Sequence, residues 1–335
     1  MFSPQTRTFV AGLLATVALC IATSACSQVK SAGEAEVAPT PVAANPGPAT
    51  LELHEEAREL PGKLALSVGG SIWSFSGGEW SMLTHGKTDV QPAWNRRTGR
   101  LYFIRRSADH SDVYTRSARG DVRRLSANQG RGKTGTKRRA LSSSWAWQPS
   151  VGPKDSLVVL TDRGGELRVA EMRASRELRT LAGGNNLVQD PQVSPDGRRV
   201  AYVEYVGGAA RLMVRQQVEG GAAAPVATFK RGLYDPEWSL DGRSIYFVAP
   251  AGGSTRLYIV APGGKPRALT NGDAAVRQPT AVGPNRLVYL QRNGDAWRLA
   301  AAKVERDDGG ARLVDETRLS TGEGLDPSSN LAWRP

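Results

Sequence analysis

Cysteine is almost missing from this sequence: 335 residues contain two, Cys20 and Cys26, both close to the N-terminus. Once a leader is removed, the folded part carries no internal thiol, which excludes disulfides and cysteine metal sites there. Histidine is nearly as scarce. His54, His85 and His110 are the three, and none falls in a His-Glu-x-x-His spacing, so no metal and no other cofactor is expected. No Gly-x-Ser-x-Gly pentapeptide occurs, which removes the nucleophile elbow of an α/β-hydrolase. The glycine-rich pieces beginning at Gly183, Gly207 and Gly252 lack the lysine and the strand-to-helix setting of a phosphate loop and read as hairpin loops. What the chain has in quantity is glycine (37), proline (20) and positive charge, a formal net +12. That composition predicts a folded, turn-rich protein.

Residues 1–25 read as an export signal: Arg7 supplies charge, Phe9 to Ala22 is apolar but too short to cross a bilayer, and Thr23, Ser24 and Ala25 are small. Small residues directly before Cys26 match a bacterial lipobox, in which Cys26 would be lipidated and become the first mature residue. Thr23 stands where Leu is commonest, so plain cleavage after Ala25 is the competing reading. Residues 26–61 shift to Ala, Pro, Glu and Val, a composition that buries too little apolar surface to offset ordering, and are expected to form a flexible tether. The expected location is extracytoplasmic, at the cell envelope, periplasm or outer surface, with the membrane held through the N-terminal lipid.

From residue 62 to 335 the sequence repeats. VSPDGRRVAYV from Val193 and WSLDGRSIYFV from Trp238 share Asp-Gly, a basic residue and an alternating apolar stretch. Weaker copies start at Ala93, Ser150 and Ala281, each just after a proline. Those prolines, Pro92, Pro149, Pro191, Pro236 and Pro279, are 57, 42, 45 and 43 residues apart. A last copy matches Ala332-Trp333 to Ala93-Trp94 with Leu331 in the proline's place, although Pro327 gives a rival register. Each Asp-Gly is a tight-turn pair, and outer strands are expected to end at Leu-Thr or Leu-Ser. Four strands per period describes a propeller blade. Three strands from the front of this region and one from LAWRP at its end would complete one blade. The expected fold is therefore an all-β, six-bladed propeller of four-stranded blades, closed by N- and C-terminal strands in one blade.

The repeats VSPDGRRVAYV and WSLDGRSIYFV resemble those of the TolB and WD-like propeller family. That resemblance implies the fold over residues 62–335 and leaves function open, because the repeat also serves surface lipoproteins and the propeller halves of serine peptidases. TolB carries an α/β domain before its propeller; here the tether-like segment stands in that place.

Charge is concentrated. Arg116, Arg119, Arg123, Arg124, Arg131, Lys133, Lys137, Arg138 and Arg139 are accompanied by one acid, Asp121, in the stretch that lengthens the first repeat interval. With Trp145 and Trp147 nearby, this is a candidate binding patch, weighed against a solvated insertion. Asp196 and Asp241 are expected to serve turns. The Asp-Pro pairs at 190, 235 and 326 are expected at structural positions, with a cation-holding carboxylate ring as the alternative. The leading expectation is a monomeric, non-catalytic envelope lipoprotein that binds a protein partner as a scaffold or sensor accessory. The alternative is a module for glycan, anionic cell-wall polymer or lipid head groups. An enzyme with a site in the channel is a third reading, and nucleic acid is not an expected partner.

Overall fold

The computed structural model describes residues 48–128, 145–162, 165–173, 177–307 and 310–335, all within Ala43–Pro335, the second of two units into which the chain divides. Among the described residues the regular structure is strand, apart from one 3-10 turn at Glu55–Glu59, and no helix is long and apolar enough to cross a membrane.

Six four-stranded antiparallel sheets follow one another around a ring. Their inner strands are Ala332–Arg334 in blade 1, Asp89–Trp94 in blade 2, Ala146–Val151 in blade 3, Leu187–Val193 in blade 4, Tyr234–Trp238 in blade 5 and Val276–Gly283 in blade 6. Each inner strand packs against the next, and that of blade 6 returns to that of blade 1, so the ring closes. The second strands explain why the apolar pattern is continuous rather than alternating. Leu101, Tyr102, Phe103 and Ile104 are all buried, as are Ile245 to Ala249, because each blade is covered on both faces by its neighbours. Hydrophobic side chains accordingly collect in the gaps between blades. Val90, Tyr102 and Ile104 of blade 2 meet Leu157, Val159 and Met172 of blade 3, and comparable clusters fill the other gaps around the ring.

Local chemistry fixes the hairpins. Asp196 Oδ1 accepts hydrogen bonds from the Ser194 hydroxyl (2.6 Å) and the Arg198 N–H (3.0 Å), and Asp241 repeats this with Ser239 and Arg243. These are side-chain turns of the kind expected for Asp-Gly. The Leu-Thr and Leu-Ser pairs also have a definite task. In blades 1, 2, 5 and 6 the hydroxyl of Thr84, Ser126, Thr270 or Ser320 accepts the N–H of a third-strand residue, Ile72, Val113, Leu257 or Leu299 respectively. Of the leucines beside these hydroxyls, Leu83, Leu269 and Leu319 are buried and Leu125 is half-buried. One pair thus ends the outer strand and plugs the gap.

Blade 1 is made from both ends of the propeller. Lys63, Leu64 and Ala65 pair antiparallel with Arg334, Trp333 and Ala332, and Ser71–Ser76 and Glu79–Met82 complete the sheet. This settles the last repeat in the Ala332-Trp333 register. Residues 48–61, assigned by composition to the tether, instead pack on the ring. Leu51–Leu53 pairs with Ser320–Gly322, the His54 N–H donates to the Leu319 carbonyl, and Trp333 Nε1 donates to the Pro61 carbonyl at 2.5 Å. Leu51, Ala57 and Leu60 are buried in the cluster joining blades 6 and 1. At Gly62 (φ +72°) a Cβ would run into the Arg334 carbonyl, so this close approach requires glycine. Three buried apolar side chains and a few hydrogen bonds hold a segment whose composition predicts no order.

Candidate functional site: the propeller channel

The repeated X-Pro step builds the channel wall. Gln91, Gln148, Asp190, Asp235 and Gln278 all precede a proline, and all have positive φ, between 49° and 55°. The residue before proline ordinarily prefers extended backbone. Here each lies at a register shift where two inner-strand residues oppose one on the second strand. Proline suits the bulge because it has no N–H to lose from the ladder.

The twist turns these side chains along the ring, where they bind one another. Ser329 Oγ accepts the Gln91 N–H (2.8 Å), Gln91 Oε1 accepts the Gln148 N–H (2.9 Å), and Gln148 Oε1 accepts the Asp190 N–H (2.9 Å). Asp190 Oδ2 then accepts the Asp235 N–H (3.1 Å), and Asp235 Oδ2 the Gln278 N–H (3.1 Å). Gln278 Nε2 reaches the Pro327 carbonyl (3.1 Å), which brings the belt back to the segment entering blade 1. Glutamine and aspartate alternate freely because either offers an acceptor oxygen.

Two carboxylates meet one cation in this belt. Arg277 grips Asp235 with Nε (2.5 Å) and Nη2 (3.1 Å) and lies 5.2 Å from the Tyr234 ring centroid. Burial opposes the charge on Arg277, but Asp235 outweighs it and holds the guanidinium above its ordinary value. Asp190 has no such partner. Burial first, and the Asp235 charge second, push it up from 3.8 to about 7, against the pull of Arg277 and of its hydrogen-bond donors, including Gln148 Nε2. The belt therefore holds a proton near neutrality. The Asp-Pro aspartates at 190 and 235 serve as inter-blade acceptors, and no group of three or more metal-ligating side chains occurs among the described residues.

Beyond the belt the channel contains a space of about 20 Å³, roughly one water, then widens to a cavity of about 330 Å³. Its lining includes the inner-to-second-strand hairpins near Arg97, Gly152 and Ser194, so it opens on that face of the ring. Arg96 of blade 2 crosses to Glu237 of blade 5 at 3.1 Å and also donates to the Trp333 carbonyl. Burial raises the Glu237 carboxyl despite Arg96 and the Ala281 N–H, which pull it down. This pair forms a floor under the wider mouth.

No protein-family profile matches the chain, and a search among curated proteins returns no match. Solved structures do match. TolB from Acinetobacter baumannii superposes with a TM-score of 0.61 at 17% identity, over 83% of this chain and 67% of that one. The putative TolB from Agrobacterium tumefaciens gives 0.56 at 14% identity, over 82% and 98% of the two chains. The fold is TolB-like. A chain of a nidogen/laminin complex shares the TolB-like architecture, with a TM-score of 0.57 at 12% identity over 81% and 97%.

On this TolB-like ring the basic and aromatic residues singled out by sequence lie on different elements. Arg116 ends the third strand of blade 2, Arg119 is exposed in the following turn, and Arg123 and Arg124 are exposed on the outer strand. Arg124 bonds to Asp112 (3.1 Å) and to the Ser126 carbonyl (2.7 Å). Trp145 and Trp147 stack on each other beside the inner strand of blade 3, 5.9 Å between centroids, and Trp147 also packs into the gap between blades 3 and 4. Arg131, Lys133, Lys137, Arg138, Arg139 and Cys26 lie outside the described residues. The belt and the Arg96 to Glu237 crossing were missed by the sequence reading. The recurring X-Pro was the signal for the first; nothing local marks the second, whose partners are 141 residues apart.

Proposed function

We propose that this chain is a non-catalytic, lipid-anchored envelope protein whose TolB-like ring presents the channel mouth and its surrounding hairpins to a protein partner. The observation that carries the reading is the division of labour in the channel. The polar groups of the wall are committed to one another through the belt and through Arg96 and Glu237. The cavity of about 330 Å³ above them is open, with the exposed Arg97 and the half-buried Asn330 at its lining. A wall tied up in this way supports a rigid recognition surface, which loses little freedom on docking. Export through residues 1–25, anchoring at Cys26 and an extracytoplasmic location belong to the same proposal.

The test is site-directed photo-cross-linking from position 97 in cells, beside a control position on the outer strand of blade 2 such as Arg123. A single envelope protein cross-linked from 97, absent from 123 and lost when Asn330 is replaced by Arg, supports the docking surface. Equal, unspecific labelling from both positions refutes it.

A further inference from the structure

Around the ring, cations that stack on the hairpin tryptophans find acceptors, with one exception. At the junction of blades 4 and 5, Arg199 lies 4.6 Å from the Trp238 ring centroid and donates Nη2 to the Gly242 carbonyl at 2.8 Å. At the junction of blades 1 and 2, Arg334 stacks in the same way on Trp94, at 5.1 Å, and its Nη1 lies against Gly99, in the corresponding hairpin. Among the described residues no acceptor meets Arg334 there. Its Nε is buried without a hydrogen-bond partner among the described residues, and so is the Nε1 of Trp94, which is itself 7% exposed.

Two further cations crowd the same seam. Lys63 is directly opposite Arg334 in the strand pair that closes blade 1, so the two side chains project from the same face of the sheet with Cβ atoms about 5 Å apart. Arg116, on the third strand of blade 2, is the third. Burial and then the like charges of Arg334 and Arg116 lower Lys63 from its ordinary value. Burial also lowers Arg116, and Asp121, itself hydrogen-bonded to the Ser117 hydroxyl at 3.0 Å, offsets this only in part. Among the described residues none of the three cations has a carboxylate within ion-pair distance. Some half-buried arginines elsewhere are paired, as with Arg105 on Asp89 and Arg277 on Asp235, and others such as Arg215 and Arg256 also carry an Nε without a partner among the described residues; what sets this seam apart is that Arg334 lies directly opposite a second cation, Lys63.

Partly desolvated like charges, with two orphaned donors beside them, are stabilised by an anion and by little else. We propose that Lys63, Arg116 and Arg334 form a binding site for a phosphate-type oxyanion at the seam between blades 1 and 2. Cations arriving from three strands suit an anion whose oxygens point in several directions; a carboxylate would be satisfied by one guanidinium fork. The site goes beyond the docking surface proposed above and stands whether or not the channel mouth takes a protein.

The experiment uses the purified full chain, with inorganic phosphate as probe and chloride at matched ionic strength as reference. Phosphate is expected to raise the melting temperature, and chloride not to. Lys63→Gln and Arg116→Gln should each weaken phosphate binding at least tenfold by calorimetry, while melting no lower than wild type without phosphate, because one of three like charges is gone. Arg119→Gln, on the exposed turn, should bind as wild type. Equal effects of phosphate and chloride overturn the proposal, as does undiminished phosphate binding in both Lys63→Gln and Arg116→Gln. Vesicles containing phosphatidylglycerol and a soluble poly(glycerol phosphate) then separate the sources. Retention on one of them that is lost in Lys63→Gln identifies that source, and retention on neither assigns the site to a small soluble phosphate. Retention that survives Lys63→Gln counts against the site.

Discussion

Asp190→Asn tests the electrostatics of the belt through its pH dependence. In the folded protein Asp190 titrates at about 7, against an ordinary 3.8. The folded state therefore binds a proton that the unfolded chain has already released. Stability contributed by this group is complete below pH 3.8, falls as the pH rises, and is lost once the pH passes 7. At about 1.36 kcal/mol per pKa unit, the penalty grows by roughly 2.7 kcal/mol between pH 5 and pH 8. Partial exposure to the channel and coupling to Asp235 reduce this, and we expect about 2 kcal/mol. Asparagine cannot ionise, so it abolishes the slope. It also sets an amide N–H against either Gln148 Nε2 or the Asp235 N–H, which lowers stability by about 1–2 kcal/mol at every pH. The diagnostic is therefore the change in the gap between the two proteins, measured by urea unfolding at pH 5, 6, 7 and 8. The variant should be close to wild type in stability at pH 5 and the more stable protein at pH 8. A gap constant to within about 0.5 kcal/mol across that range would refute the reasoning.

Three other outcomes follow from the geometry. Gln148→Ala removes the acceptor of the Asp190 N–H and places a Cβ residue at φ 49° with nothing to hold it, so a loss of about 2–3 kcal/mol is expected; Gln148→Gly should be milder by about 1 kcal/mol in the same unfolding assay. Arg96→Met leaves Glu237 without its cross-channel partner and should lower the melting temperature more at pH 8 than at pH 5, because burial already raises this carboxyl and the loss of Arg96 raises it further, so its buried charge costs more as the pH rises; adding Glu237→Gln should restore most of the loss. Leu60→Ala should destabilise the ring by about 2–3 kcal/mol in urea, whereas a residue in a flexible tether would show no effect.

Fold and site were not equally legible in the sequence. The period of the Asp-Gly hairpins, together with the incomplete first and last copies, led to six blades closed by both ends, because those features are local and recur. The belt was half visible. Prolines at 92, 149, 191, 236 and 279 marked the step, yet their meaning depends on the residue before each one reaching the next blade, 42 or more positions along the chain. Asp190 and Asp235 were readable as structural positions, but the raised carboxyl of Asp190 was not. Residues 48–61 were misjudged for a related reason. Leu51 and Leu60 are too few to define a pattern, and their burial comes from Ser320–Gly322 and Trp333, which sequence reading places at the far end of the molecule. The same distance hid Lys63 and Arg334, two unremarkable basic residues that become neighbours only when blade 1 closes.

The way blade 1 is shared sets an order of events during synthesis. Lys63 to Met82 emerge long before the strand that seals their inner edge, Ala332–Arg334, which follows the other five blades. Until then three strands wait with a bare edge, and the gap between blades 6 and 1 lacks Trp333. A ribosome that stops before Ala332 leaves five blades with sound sheets and a ring without a lock. Ala332–Arg334 thus acts as a check on the ring: only a chain translated through this strand can close, and one cut before it exposes an edge that quality-control proteases and aggregation can reach.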